Sequence, residues 1–169
     1  MINEGALKVS LFTVEYDAIN VSDACTLTLK EGEDEPIQIP VKNVIAGLSA
    51  SDKNTKIYAD KIHITGIDFN YGIMTTEKVD ITINNNIIIG KDSNLSGFYA
   101  LKLGTNIVSN KIDIAPTKEN SHGVKVFDGA NVYINNITIT GEEKKFIGIL
   151  SKGKNTTLAI NKIDINVND

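Results

Sequence analysis

Few residues in this chain have the types and spacing that acid–base or metal chemistry needs. Asp113 and Asp164 fall in one phase of a repeating pattern, in a column that reads His63, Ile88, Asp113, Thr138, Asp164. Paired carboxylates in such a column would act as acid and base, or would hold calcium. These two lie two repeats apart with no acidic residue between them, so solvated carboxylates are the expectation. The run Glu33, Asp34, Glu35 has the ligand type for calcium, and a solvated acidic loop is the simpler reading. His63 and His122 have no Ser, Cys or Asp partner at a motif spacing. One cysteine, Cys25, and two histidines leave a Cys/His zinc site short of ligands and allow no internal disulfide. The Lys+Arg total is 17, and all 17 are Lys, so no guanidinium is available to clamp a carboxylate or a phosphate. Phosphate loops, nucleophile elbows and dinucleotide fingerprints are absent. The expectation is no catalytic residue, no metal and no cofactor.

The formal net charge of −4 argues against a nucleic-acid surface, and no apolar run is long enough to insert in a membrane. The N-terminus has no basic segment followed by an apolar one, as a secretory signal would.

What positions these residues is a repeat. A phrase recurs at Asp60-Lys61-Ile62, Asn85-Asn86-Ile87, Asn110-Lys111-Ile112, Asn135-Asn136-Ile137 and Asn161-Lys162-Ile163. The isoleucines are spaced 25, 25, 25 and 26 residues apart, and a glycine column follows at Gly72, Gly97, Gly123 and Gly148. Within a repeat, apolar residues alternate with polar ones, as in Val132, Ile134, then Ile137, Ile139 across the Asn135-Asn136 pair. Asn suits such a bend because it tolerates left-handed backbone. A coil therefore reads strand, Asn bend, strand, variable loop, Gly, strand. Three short strands per coil predict an all-β fold, a right-handed parallel β-helix. Its core ladder is Ile62, Ile87, Ile112, Ile137 and Ile163. Its turn ladder is Asp60, Asn85, Asn110, Asn135 and Asn161, bonded amide to carbonyl down the stack.

One coil conflicts with itself. In Val79–Asn86, strict 25-residue registration turns Thr82 and Asn84 inward, whereas alternation turns Ile81 and Ile83 inward. A bulge or a three-residue Asn84–Asn86 bend would reconcile the two. Residues 1–53 form a less regular β region, early coils or a cap, with Asn20 and Asn43 as candidate earlier members of the Asn column. Residues 54–169 form the regular coils. The stop at Asp169 falls in mid-coil, which suggests a piece of a longer protein whose open end invites end-to-end self-association.

The phrases Ala130-Asn-Val-Tyr-Ile-Asn-Asn-Ile-Thr-Ile-Thr140 and Thr157-Leu-Ala-Ile-Asn-Lys-Ile-Asp-Ile165 resemble coils of pertactin-like passenger domains of bacterial autotransporters. The resemblance covers about 54–169. It implies a non-enzymatic segment at the bacterial cell surface, or secreted, carried outward by a separate membrane barrel. It would serve as adhesin or stalk, with a host-cell or microbial surface protein or glycan as partner. The family carries no universal catalytic residue. The Asn column also resembles the asparagine ladder of pectate-lyase-like enzymes, so a carbohydrate-active lyase or hydrolase is the alternative. Tyr71 and Phe146, each ending a variable loop beside the glycine column, are the candidate binding-loop residues, with lids over a core corner as the other reading.

Overall fold

The computed structural model describes residues 12–13, 17–30, 36–91, 95–116, 121–141 and 147–167. All the regular structure in these residues is β. The strands are β1 (Phe12–Thr13), β2 (Ile19–Val21), β3 (Thr26–Leu29), β4 (Ile37–Ala50), β5 (Lys56–Thr75), β6 (Asp80–Lys91), β7 (Ser96–Leu101), β8 (Asn106–Pro116), β9 (His122–Phe127), β10 (Asn131–Gly141), β11 (Ile147–Lys152) and β12 (Thr157–Val167). Every pairing is parallel, and each strand pairs with its counterpart in the next coil. The result is a β-solenoid of about five turns with three outer faces. The first face carries 56–60, 80–84, 106–110, 131–135 and 157–161. The second carries 62–66, 86–90, 112–116, 137–141 and 163–167. The third carries 71–75, 96–101, 122–127 and 147–152.

Alternation explains why these segments are strands. On each face most inward positions hold Ile, Val, Leu or Phe, which pack well on a pleated surface. Ile62, Ile112 and Ile137 are fully buried. Each such burial contributes roughly 1.5–3 kcal/mol. Ile163 continues the column with no described coil stacked on it, and is 43% exposed.

The glycine column has a steric cause. A Cβ on Gly97 would lie 2.5 Å from Ile114 Cδ1 and 2.8 Å from the Gly123 carbonyl oxygen. One on Gly123 would lie 2.4 Å from both Ile139 Cδ1 and the Gly148 carbonyl oxygen. At each coil, glycine lets the third face close onto the second-face isoleucine and onto the next glycine's backbone. The column reaches back to Gly47, whose Cβ would meet Ile64 Cγ2 at 2.4 Å. Accordingly β4 already pairs with β5 in 25-residue register, Ile37 on Ile62 and Leu48 on Ile73.

Two expectations are corrected. The conflicted coil contains neither a bulge nor a three-residue bend. Ile81 and Ile83 point inward as alternation requires, Asn84-Asn85 is a two-residue bend like the others, and Asn86 then faces the core. Asn86 is the residue that pairs with Ile62 and Ile112, while Ile87 pairs with His63 and Asp113 on the outside. The core column is therefore Ile62, Asn86, Ile112, Ile137, Ile163, with spacings of 24, 26, 25 and 26 residues. The turn column takes Asn84, not Asn85. Neighbouring coils fold with two-residue bends, and a longer bend here would have lost their hydrogen-bonding alignment. Asn20 and Asn43 are not ladder members. Asn20 pairs with Ser49, and Asn43 lies beside Asp68 at a left-handed corner, with φ of 54° and 52°.

Candidate functional site

The Asn ladder forms on the outer edge of the first face. Asn84 Nδ2 donates to Asp60 Oδ1 at 3.2 Å, Asn135 Nδ2 to Asn110 Oδ1 at 2.9 Å, and Asn161 Nδ2 to Asn135 Oδ1 at 3.0 Å. A second amide ladder runs along the opposite edge of the same face. There Asn106 Nδ2 donates to Asp80 Oδ1 at 2.9 Å and Asn131 Nδ2 to Asn106 Oδ1 at 3.2 Å. The sequence reading missed this second ladder, although Asp80, Asn106 and Asn131 repeat in the same phase as the first. Between the two ladders runs the column Tyr58, Thr82, Val108, Tyr133, Ala159. Tyr58, Val108 and Tyr133 are 42%, 47% and 48% exposed. A shallow groove of about 320 Å³ follows this column from Thr82 to Ala159, walled by Asn84, Asn110, Asn135 and Asn161.

The second face carries the acidic column. It reads His63, Ile87, Asp113, Thr138, Asp164, so Ile87 replaces the expected Ile88, which is buried. Thr138 separates the two aspartates, which places them two strand spacings apart, about 10 Å. Each has a lysine beside it in its own coil, Lys111 Nζ at 2.8 Å from Asp113 and Lys162 Nζ at 3.5 Å from Asp164. Two charge-compensated carboxylates at that separation cannot share a proton. His63 lies 3.3 Å from the Gln38 amide through Nδ1, and burial holds its pKa below the usual 6.5. Among the described residues, no group of three or more His, Cys, Asp or Glu is placed to hold a metal ion.

Tyr71 is a strand residue of the third face, paired with Ser96. Its ring lies 4.9 Å from that of Tyr99, which lies 5.8 Å from Phe127. The three make a diagonal aromatic stack across adjacent coils, half-buried rather than held out on a loop. Burial, then the neighbouring Tyr71 and Asp128, raises the Tyr99 pKa, and burial lowers that of Lys125 beside it. Phe146 and the Glu33–Glu35 cluster lie outside the described residues.

One polar constellation lies in the core. Asn86 Nδ2 donates to Ser109 Oγ at 3.2 Å, and Ser109 Oγ reaches the Lys111 carbonyl at 3.4 Å. Asn86 Oδ1 is buried without a partner. The readable signal was Ser109, the polar interruption of the inward column Ala59, Ile83, Ser109, Ile134, Ile160.

Compared with protein-family models, with curated proteins and with solved structures, the chain matches none of them.

Proposed function

We propose that this chain is a passenger-type β-helical segment, displayed on a bacterial cell surface by a separate membrane barrel or secreted, that acts as a stalk or adhesin and not as an enzyme. The observation that supports it most directly is the unbroken coil-on-coil register. The same Gly–Ile contact recurs from Gly47 to Gly148, and the Asn rungs run down one edge. About five turns at about 4.8 Å each make a rod body of roughly 24 Å. Such a stack suits extension and display, because each coil templates the next as the chain emerges. Its partner would be a surface protein or glycan.

The test is display. Fused to a heterologous outer-membrane barrel, the segment should reach the outside of the cell, bind surface antibody and resist protease there. Retention inside the cell would overturn the reading. So would release of unsaturated uronates from polyuronates by the purified segment, which would instead establish the lyase alternative.

A further inference from the structure

We propose that three coils of the first face, 106–110, 131–135 and 157–161, form a binding platform for an extended, uncharged polysaccharide lying along the solenoid axis, with Tyr133 at its centre. This rests on the display reading, in which the face meets surface glycan. It moves binding from the loops to the flat of the sheet.

Three observations carry it. The first is shape: the column Val108, Tyr133, Ala159 is one residue wide, with Asn110, Asn135 and Asn161 along one edge and Asn106 and Asn131 along the other. That is too narrow to form the apolar centre of a protein interface. It matches a sugar ring, which has an apolar C–H face and a hydroxyl rim. The 48% exposed ring of Tyr133 offers the stacking surface.

The second is hydrogen-bonding capacity. Asn131 and Asn135 flank Tyr133 in the same strand. Each amide has two N–H groups and a carbonyl with two lone pairs. Asn135 spends one N–H on Asn110 and one lone pair on Asn161, and Asn131 spends one N–H on Asn106. Both keep a donor and an acceptor for a ligand, and the ladders hold them in place beforehand. Hydroxyls, which donate and accept, satisfy both. The rungs recur at about 4.8 Å, comparable with the advance of one sugar in an extended chain.

The third is charge. Over 106–110, 131–135 and 157–161 the outward side chains are Asn, Val, Tyr, Thr and Ala. Lys111 and Lys162, at the bend between the first and second faces, turn to Asp113 and Asp164 on the second face. The charged outward residues of this face, Lys56, Asp60 and Asp80, lie in the two preceding coils, so these three coils select a neutral chain and give a polyuronate little to pair with.

Native affinity electrophoresis in gels containing a soluble neutral β-glucan, xylan or galactomannan, with polygalacturonate as the charged control, tests the proposal. At least one neutral polymer should retard the protein and polygalacturonate should not. Tyr133→Ala should weaken retardation tenfold or more with its thermal unfolding unchanged, and Asn135→Asp should also weaken it. Tyr71→Ala, on the third face, should bind as the parent does. Retardation unaffected by Tyr133→Ala, a preference for polygalacturonate, or no retardation by any neutral polymer would overturn the platform. None of these touches the display result, so failure of the platform and failure of the passenger reading are separable.

Discussion

The corner at Gly123 and the position Asn86, just after the Asn84-Asn85 bend, stand in the same solenoid under opposite rules. At the corner every coil repeats one solution. Gly47, Gly72, Gly97, Gly123 and Gly148 each admit an isoleucine of the second face, and most of them also a carbonyl of the next glycine. Just after the bend one coil departs, and a buried amide takes the place of an isoleucine. The comparison teaches which contacts hold the register. A slip at the corner would drive a Cβ into backbone, which cannot move aside. Just after the bend, a change of residue type is absorbed by a single hydrogen bond to the next coil. Backbone alignment dominates side-chain preference here: the coil keeps its two-residue bend and accepts Asn86 in the core.

The largest effect should come from importing that polar solution into a regular coil. Ile137 has isoleucines on both sides, Ile112 and Ile163. Ile137→Asn would leave an amide among aliphatic side chains, at a cost of about 3–5 kcal/mol. Ile112→Asn should cost less, because the unpartnered Asn86 Oδ1 lies one coil away and accepts an N–H. Chemical denaturation of the two variants measures the difference. Equal losses would mean that the amide at 86 is not a usable partner.

Gly123→Ala tests the corner. The added methyl meets the Gly148 carbonyl oxygen and Ile139 at 2.4 Å each, so the third face must shift, at a cost of about 1–3 kcal/mol. Its melting temperature should fall below that of Gly90→Ala. A Cβ on Gly90 would meet side chains rather than backbone, the nearest being Leu95 Cδ2 at 2.9 Å, and a side-chain end can give way. The reverse order would remove the steric account of the column.

The polar pair itself should give a smaller, signed result. Ser109→Ala strands Asn86 Nδ2, with a loss of about 1–3 kcal/mol. Adding Asn86→Ile should recover that loss and reach or exceed the parent, because an apolar pair replaces a half-satisfied polar one. A double variant no better than Ser109→Ala would show that the cavity, not the hydrogen bond, sets the energy.

Much of this was legible in the residues. Alternation across the Asn pairs gave the strands, the 25-residue period gave the parallel pairing, and the glycines marked the corner. The slip at Asn84-Asn85-Asn86 was not, because three consecutive asparagines let a two-residue bend sit at either pair. Ile87-Ile88-Ile89 is apolar at every step, so hydrophobic periodicity carries no phase there. Only the bends of the neighbouring coils decide it, and that is information from the stack. The first-face column is a different case: Tyr58, Val108 and Tyr133 fall 50 and 25 residues apart, in the plain 25-residue phase, so their common outward column was readable without the structure.

The smallest effect follows from the same slip. It places Ile87 on the outside, directly beside His63 in the adjoining coil. Both line one shallow depression with Lys61 and Asp113. Burial lowers the His63 pKa, because the charged ring loses water that the neutral ring needs less. The unfolded chain then binds a proton more readily than the folded one, so stability rises with pH across this transition. The contribution is complete above the unfolded value of about 6.5 and is lost as pH falls from there toward the lower folded value. Ile87→Ser should uncover the ring and move the His63 pKa back up toward 6.5, read by NMR titration of its ring protons. It should also flatten the fall in melting temperature between pH 7 and pH 5 by a degree or two at most, roughly the size of an exposed-group effect. An unmoved His63 titration in Ile87→Ser would show that the ring's burial comes from Gln38 and its own coil, and would separate the slip at Asn86 from any electrostatic consequence on the outer face.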